Sequence, residues 1–533
     1  MADVMMTSTA RFRRPTTAAV SLRRLFPGAS FVGCADVTVI DATEQSHECQ
    51  PGGLFAVIPG SKVDGSRFIG EALHHGASAL LVARPVAGVT VPQCVVRNVR
   101  RAYAELCSAL VGHPSRKLGM IGVTGTNGKT TTTWLIRSIL QAAGKNTGLL
   151  GTVEYHDGRE SSCSTLTTPD SRTLSQWLAR MIECKSSHAA LEVSSHALDQ
   201  DRVAGIQLDT AVITNITPDH LDYHRHFESY VSTKARIMSL LKPQGRMVLN
   251  VDDSSCAELA SRVPIDKTCV TYGIDAPADV SAKVLLEKSG GSKFLLRIHS
   301  EEIEVFTSLM GRHNISNCLA AAAAVSQFGI PLEKIAEGIE HLTEVSGRLQ
   351  RIELGQAFDV FVDYAHTEDA LQRILSALKP LTAGRLICVF GAGGDRDRTK
   401  RPMMGKATAS IADLAIVTSD NPRSEPPMQI IQQILPGFAE SKCLVHVEID
   451  REKAIALALH EARAGDCVVV AGKGHETEQI LGTTRQPFDD REVIRQQLIL
   501  LQTAPDTGAI DATRIATTDS APPISSQLHT NDL

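Results

Sequence analysis

The chain has 533 residues, a formal net charge of −5 and 12 cysteines. With 43% hydrophobic and 21% charged residues it has the make-up of a soluble protein large enough for about three to four domains. The slight acidity argues against a nucleic-acid footprint, no apolar run approaches the roughly 18 residues of a membrane span, and scattered cysteines without a Cys-x-x-Cys point to reduced thiols in a cytoplasmic enzyme rather than to disulfides or zinc.

Residues 1–17 carry Arg11, Arg13 and Arg14 among small residues but lack the apolar core of a secretory signal. They read as a flexible tail, with an organellar transit peptide as the competing reading. From 18 to 98, short strands near 36–40, 54–58, 79–82 and 94–96 alternate with a helix near 67–75, punctuated by Gly52-Gly53 and Pro59-Gly60. That is a small α/β domain.

A second domain, 99–346, opens with a helix to Val111 and reaches Gly122-Val-Thr-Gly-Thr-Asn-Gly-Lys-Thr-Thr-Thr132. An apolar run over 118–123 predicts a strand leading into it. Leu135, Ile136, Ile139, Leu140 and Ala143 recur at helical spacing after it, and Gly144 stands where a helix would end. Gly125 and Gly128 therefore lie in a tight loop at a helix N-terminus, where free backbone N–H groups and the helix dipole favour phosphate. Lys129 would reach the outer phosphates and the Thr130 hydroxyl would ligate Mg²⁺. The usual spacing has a glycine where Val123 stands, and a plain strand-to-helix turn is the competing reading. The coincidence of strand, loop, Gly-Lys-Thr and helix favours a nucleotide-binding loop.

Further strands at the spacing of βαβ units are predicted near 189–193, 210–215 and 247–250, and an edge hairpin within 282–308 around Ser289-Gly290-Gly291. Glu192 closes the first of these strands. Parallel sheets gather ligands at strand C-termini, so a carboxylate there can share the metal with Thr130; alone, such a Glu is more often a cap or ion-pair partner. Asp219, His220, Asp222 and His224 crowd one Pro-containing loop, yet without a nearby cysteine they are weak support for zinc. Lys234 lies on a predicted helix, where an isolated lysine ordinarily faces solvent. Asn314 opens another helix over 314–326, where it could be an N-cap.

A third domain, 347–502, restarts the alternation with strands near 360–363, 386–390, 414–418, 444–449 and 467–470 and reads as doubly wound. Gly393-Gly-Asp-Arg-Asp397, Asp420-Asn-Pro-Arg423 and Gly472-Lys-Gly-His-Glu476 each end or follow a strand. Two arginines and two acids on one rim suit a zwitterionic amino acid with an extra charged end; a turn at Asn-Pro and an anion loop at a helix start are the bland alternatives. Residues 503–533, rich in Thr, Ser, Asp and Pro, are expected to be disordered.

Taken together these motifs resemble the Mur ligases and, more distantly, their relatives the folylpolyglutamate synthases, over about residues 18–502. Thr-Gly-Thr-Asn-Gly-Lys-Thr, Glu-Val-Ser-Ser-His and Asp-His-Leu-Asp-Tyr-His carry the likeness, with Gly53-Leu-Phe-Ala-Val57 similar to a strand of the family's first domain. The resemblance implies three α/β domains: a small UDP-binding domain, a central phosphate-loop ATPase domain with a mostly parallel sheet, and a C-terminal Rossmann-like domain. It implies ATP bound by Gly125, Thr126, Asn127, Gly128, Lys129, Thr130 and Thr131, with Asn314 on adenine, Arg348 on the phosphates and Asp363 on the ribose. It further implies two Mg²⁺ sites, the second using His220 and Lys234 carrying a CO₂-derived carbamate.

Ser61, Lys62 and Val63 occupy the family's contact loop for the uridine substrate, and Thr167, Thr168, Ser194, Gln200 and Arg202 match positions that hold a muramoyl-dipeptide. Arg396, Asp420, Asn421, Pro422, Arg423, Gly472 and Glu476 match the branch that adds meso-diaminopimelate, in which Asp-Asn-Pro-Arg reads the distal carboxylate. Two departures stand out: Asp41-Ala42-Thr43 replaces the family's Asp-Ser-Arg, and Glu368 replaces the proline of His-Thr-Pro-Asp. The activity so implied is ATP-dependent joining of meso-diaminopimelate to UDP-MurNAc-L-Ala-D-Glu through an acyl phosphate, by a cytoplasmic monomer. A folylpolyglutamate-synthase-like or lysine-adding ligase, or a nucleotide-switched binding module, are the alternatives.

Overall fold

The computed structural model describes residues 17–60, 63–288 and 290–503. Expectations resting on the other residues, including both tails and Ser61 and Lys62 of the contact loop, lie outside the described residues.

Three α/β domains succeed one another, each around its own sheet. The first sheet runs Ser30–Val32, Gln93–Val95, Ala79–Val82, Gly53–Ala56, Asp41–Thr43, parallel except for its first strand. Its two central strands, Gly53–Ala56 and Ala79–Val82, are buried at every position, as a parallel sheet covered on both faces requires.

The central sheet has eleven strands. From Thr147–Leu150 through His188–Glu192, Gly119–Thr124, Leu208–Ile213, Leu241–Asn250 and Thr268–Gly273 to Val280–Lys288 all neighbours are parallel. Antiparallel strands close both ends, and the expected hairpin is a meander of Val280–Lys288, Gly291–Ile298 and Glu301–Thr307. The chain winds to one side of Gly119–Thr124, returns as His188–Glu192, then crosses to the other side as Leu208–Ile213. The loop after Gly119–Thr124 therefore sits where the winding reverses, which is where a parallel sheet opens a crevice.

Helices Lys129–Ala142, Arg312–Val325 and Leu332–His341 cover one face of this sheet. The run Ala320–Ala324 is wholly buried, its small side chains letting that helix lie close. Gly338 has the same use, since a Cβ there would collide with the backbone of Ile139.

The third sheet runs Gln350–Arg351, Asp359–Asp363, Cys467–Ala471, Leu386–Phe390, Leu414–Val417, Leu444–Val447, parallel except for its first strand. Separate apolar clusters fill its two faces, so the domain is doubly wound as expected. Two elements had no place in the sequence reading: the hairpin Glu478–Leu481 with Thr484–Pro487, and the closing helix Asp490–Thr503. All twelve cysteines are free thiols, and no described helix is long and apolar enough to cross a membrane.

Candidate active site

Two cavities of about 680 and 500 Å³ meet at the junction of the central and third domains. Their common wall includes Asp219, His220, Tyr364, Arg396, Arg423 and Glu476.

The larger cavity is built on the glycine loop. Gly125 (φ 148°) leaves no room for a Cβ beside the Thr214 hydroxyl, and Gly128 (φ 83°) none beside the Asn317 amide. Helix Lys129–Ala142 follows at once, so its free N–H groups face the cavity. Lys129 Nζ donates to the Gly125 and Thr126 carbonyls, both at 2.7 Å, and burial lowers its pKa, opposed by Glu192 and Asp219.

Beside the loop, Glu192 is fully buried at the end of its strand. Its carboxylate accepts from Thr130 Oγ1 (3.1 Å), Thr152 Oγ1 (2.9 Å) and the Thr152 N–H (2.7 Å). Arg348 donates to the same Thr130 hydroxyl at 3.0 Å and lies 4.6 Å over the Tyr364 ring, while its Nε is buried without a partner. An unpartnered guanidinium nitrogen next to a phosphate loop suits an anion. Thr130 and Glu192 offer hard oxygen donors of the kind Mg²⁺ takes.

Lys234 is not the solvent-facing lysine its isolation on a helix suggests. It is 1% exposed, Nζ donating to Gly125 O at 2.8 Å and lying 4.5 Å from the Tyr230 ring centre. Burial, aided by the Lys129 charge, holds its pKa well below the usual lysine range, so the amine is disposed to be neutral and nucleophilic. His220, in a left-handed backbone conformation (φ 53°), stands at the cleft mouth with Asp219 3.4 Å away. Its ring is still 43% exposed. Desolvation by the cleft walls is the main cause that lowers its pKa to about 4, with smaller pushes from His366 and Lys129 and against the pull of Asp219. A neutral imidazole is the form that binds metal. His196 packs 5.0 Å from it and is held at about 4, chiefly by burial.

Asn314 is not an N-cap: that position is Gly311, and Asn314 lies in the first turn, bonded to Met310 O and to Asn317. Both lie on the cavity wall. Asp363 accepts from the Leu349 N–H (2.6 Å) and the Ala365 N–H (2.7 Å); burial raises its pKa, with Arg348 opposing.

Thr167, Thr168, Ser194 and Arg202 share another wall. Thr168 Oγ1 donates to Glu192 O at 2.8 Å and accepts from the Ser194 N–H at 2.9 Å, which ties this wall to the strand that ends in Glu192. Gln200 lines neither cavity: its side-chain oxygen is taken by Arg202, at 3.0 and 2.6 Å. Val63 lies on the first domain, 45% exposed, and lines neither cavity. Ala42 is buried in its strand, and both carboxylate oxygens of its neighbour Asp41 accept from Nη2 of Arg172 in the central domain at 2.8–2.9 Å, while Nη1 donates to Glu48.

The smaller cavity gathers the third-domain motifs. Asp420 Oδ1 accepts from the Asn421 N–H at 2.6 Å, whereas its Oδ2 is buried with no partner. A side chain at Gly472 (φ 113°) would press on that same oxygen, so glycine keeps it open. Arg423 (φ 51°) donates through Nη1 to Gly394 O at 2.8 Å, with Arg396 alongside across Gly393. Asn421 Nδ2 donates to Glu476 at 2.8 Å. Pro422 lines neither cavity; its carbonyl presses against Gly394 and shapes the turn. The anion-loop alternative for Gly472–Glu476 falls: fully buried Lys473 turns inward to Glu476 (3.0 Å), Glu478 O (2.6 Å) and Asn421 (3.3 Å), and a hairpin follows instead of a helix.

Several residues here escaped sequence reasoning. Buried Arg451 pairs with Asp490 and donates to Ser419 O and Ala471 O, fastening the two loops that carry Asp420 and Gly472. His475, its pKa driven to about 3 mainly by burial, and Thr152 also face the larger cavity. Only His475 lies in a motif that sequence singles out; Arg451, Asp490 and Thr152 have no local pattern, because each acts across a loop boundary.

Fold and cleft together define an α/β phosphate-loop enzyme whose site spans two domains. Three consecutive family descriptions match the chain: "Mur ligase family, catalytic domain" over 43–110, "Mur ligase middle domain" over 123–325 and "Mur ligase, glutamate ligase domain" over 347–474. The UDP-N-acetylmuramoyl-L-alanyl-D-glutamate–2,6-diaminopimelate ligase of Gloeobacter violaceus is 45% identical over 467 residues, covering 87% of this chain and 94% of its own. The Bacillus cereus protein of the same name is 41% identical over 469 residues, with the same coverage. A solved structure of that name superposes with a TM-score of 0.64 at 30% identity, covering 91% of this chain and all of its own. The chain belongs to the Mur ligase family.

Proposed function

We propose that this chain is the ATP-dependent ligase that joins meso-diaminopimelate to the D-glutamate γ-carboxylate of UDP-MurNAc-L-Ala-D-Glu. The rim of the smaller cavity carries the choice of amino acid. There a buried carboxylate oxygen of Asp420 stands without a partner, suited to an ammonium, close to the guanidiniums of Arg396 and Arg423, suited to carboxylates. The names of the two relatives and of the solved structure support the same substrate.

ATP would lie in the larger cavity, phosphates on residues 125–131, adenine by Asn314 and ribose by Asp363. Thr130 and Glu192 would hold one Mg²⁺, and His220 with Lys234 as a carbamate the second; the two ions would supply neutralisation of the charge between phosphates and substrate carboxylate. Burial lowers the pKa of Lys234 and so favours the unprotonated amine, the form that can take up CO₂. Lys129 directs its charge at the transferring phosphoryl group, and Arg348 offers the free Nε to the phosphates. Ser61, Lys62 and Val63 would touch the uridine end, and Thr167, Thr168, Ser194 and Arg202, braced by Gln200, would hold the dipeptide. The γ-carboxylate oxygen attacks the γ-phosphorus, releasing ADP and leaving an acyl phosphate. The amine of diaminopimelate then attacks the acyl carbon, losing a proton as phosphate departs and the amide forms. Positioning and charge neutralisation suffice for such in-line transfer, with no nucleophilic side chain. The same reading divides the chain into domains at 18–98, 99–346 and 347–502, and has the enzyme act as a cytoplasmic monomer.

Protein incubated with ATP, Mg²⁺, UDP-MurNAc-L-Ala-D-Glu and either meso-diaminopimelate or lysine tests this by product mass. A product heavier by a diaminopimelate residue is expected. Phosphate release that ignores the amino acid would leave a nucleotide switch instead.

A further inference from the structure

Besides the Arg348–Thr130 bond, the third domain reaches the phosphate loop through a carboxylate. Asp369 lies in the first turn of helix Glu368–Leu378, and its Oδ2 accepts from Asn127 Nδ2 at 2.6 Å and Thr217 Oγ1 at 3.2 Å, both in the central domain. Arg373 Nε, one turn along the same helix, donates to that oxygen at 2.9 Å. Asn127 stands between Gly125 and Gly128, and the central domain holds its backbone on both sides. Its N–H donates to Asn215 Oδ1 at 3.0 Å, and its carbonyl accepts from Thr214 Oγ1 at 2.6 Å and Asn215 Nδ2 at 3.2 Å. The Asn127 side chain is therefore turned to the third domain. Thr217 is tied to the loop as well, through a reciprocal pair with Thr126 at 2.9 and 3.0 Å.

The chemistry of the junction calls for a carboxylate. Three donors converge on one oxygen, so the group must present an acceptor there; a carboxylate does so in either orientation, an amide only with its oxygen turned inward. The start of a helix favours a negative charge, and Arg373 offsets that charge so that it does not repel a nucleotide's phosphates. A packing role alone would need no hydrogen bond to a loop between two glycines of positive φ.

We propose that Asp369 is a positioning residue that latches the third domain onto the phosphate loop, holding the amine pocket against a loop whose backbone the central domain already shapes. The latch keeps the two domains together while the phosphoryl group is transferred. It rests on the ligase reading for the identity of the transferred group, but its geometry does not.

The test uses the full chain, with Asp369→Ala removing the latch and Asp369→Asn keeping an acceptor oxygen of the same size. Asp369→Ala is expected to bind a non-hydrolysable ATP analogue within about threefold of wild type, to lose about 10- to 100-fold in kcat, and to have a larger radius of gyration by solution X-ray scattering with the analogue bound. Asp369→Asn should keep at least about fivefold more kcat than Asp369→Ala and retain more of the compaction. An Asp369→Ala variant that is as compact and as fast as wild type overturns the latch. So does an Asn variant no better than Ala, or a lower melting temperature and kcat with compaction unchanged, which would mean mere packing. If wild type shows no amine-dependent phosphate release, the ligase reading fails while the scattering comparison still decides the latch.

Discussion

Replacing Arg423 by Ala is the sharpest test of amino-acid choice. Diaminopimelate differs from lysine by a carboxylate at its far end, and Arg423 is the group assigned to it. The guanidinium is half-buried at the wall shared by both cavities, and only Nη1 is engaged, with Gly394 O at 2.8 Å and Asn421 O at 3.4 Å. The rest of the fork is free to pair with a carboxylate, which an ammonium cannot match. A fully desolvated pair would lose about 2–5 kcal/mol on truncation. Partial exposure places Arg423→Ala at the low end, about 2 kcal/mol, or roughly a 30-fold rise in the Michaelis constant for diaminopimelate. The constant for ATP should stay within about twofold. Because Arg423 also holds Gly394, lysine serves as the control: loss of loop anchoring would weaken both amino acids equally, loss of carboxylate pairing only diaminopimelate. Steady-state kinetics with both amino acids decide it. An unchanged diaminopimelate constant, or equal losses for both, would refute the assignment.

Lys129→Ala should lower turnover at least about 100-fold, as expected when a charge aimed at a transferring phosphoryl group is removed; near-normal turnover would end the phosphate-loop account. Lys234→Ala should fold, as judged by an unchanged circular dichroism spectrum, yet lose activity that short-chain carboxylic acids partly restore; absence of rescue would argue against a carbamate. Glu425, bonded to buried Arg401 at 2.9–3.0 Å, has its pKa lowered to about 2, first by that bond. Its folded pKa lies below the unfolded one, so its stabilisation is complete above about pH 5 and fades as pH falls toward 2. Glu425→Gln should therefore melt lower than wild type at pH 7, with the gap narrowing by pH 3; a gap that does not vary with pH would contradict the pairing.

The local patterns of the chain determined a good deal. The glycine loop between an apolar strand and an amphipathic helix was legible because phosphate cradles depend on backbone shape, which nearby residues set. Glu192 at a strand end, the alternation of strands and helices, and the clustered acids and arginines of the third domain were legible for the same reason. Tertiary structure alone decided what depends on burial and on distant partners. Lys234 looks like a surface lysine on its helix, and only packing against Tyr230 and Gly125 buries it and lowers its pKa. The alternative that Gly472–Glu476 is an anion loop stays open in the sequence until the fold turns Lys473 toward Glu476. Asp369 and Asn127 stand far apart in the chain, as do Arg451 and Asp490, and no local periodicity links such pairs. Periodicity records which face of one element is apolar; it carries no record of which element lies opposite, and charges at a domain junction take their energy and their role from that neighbour.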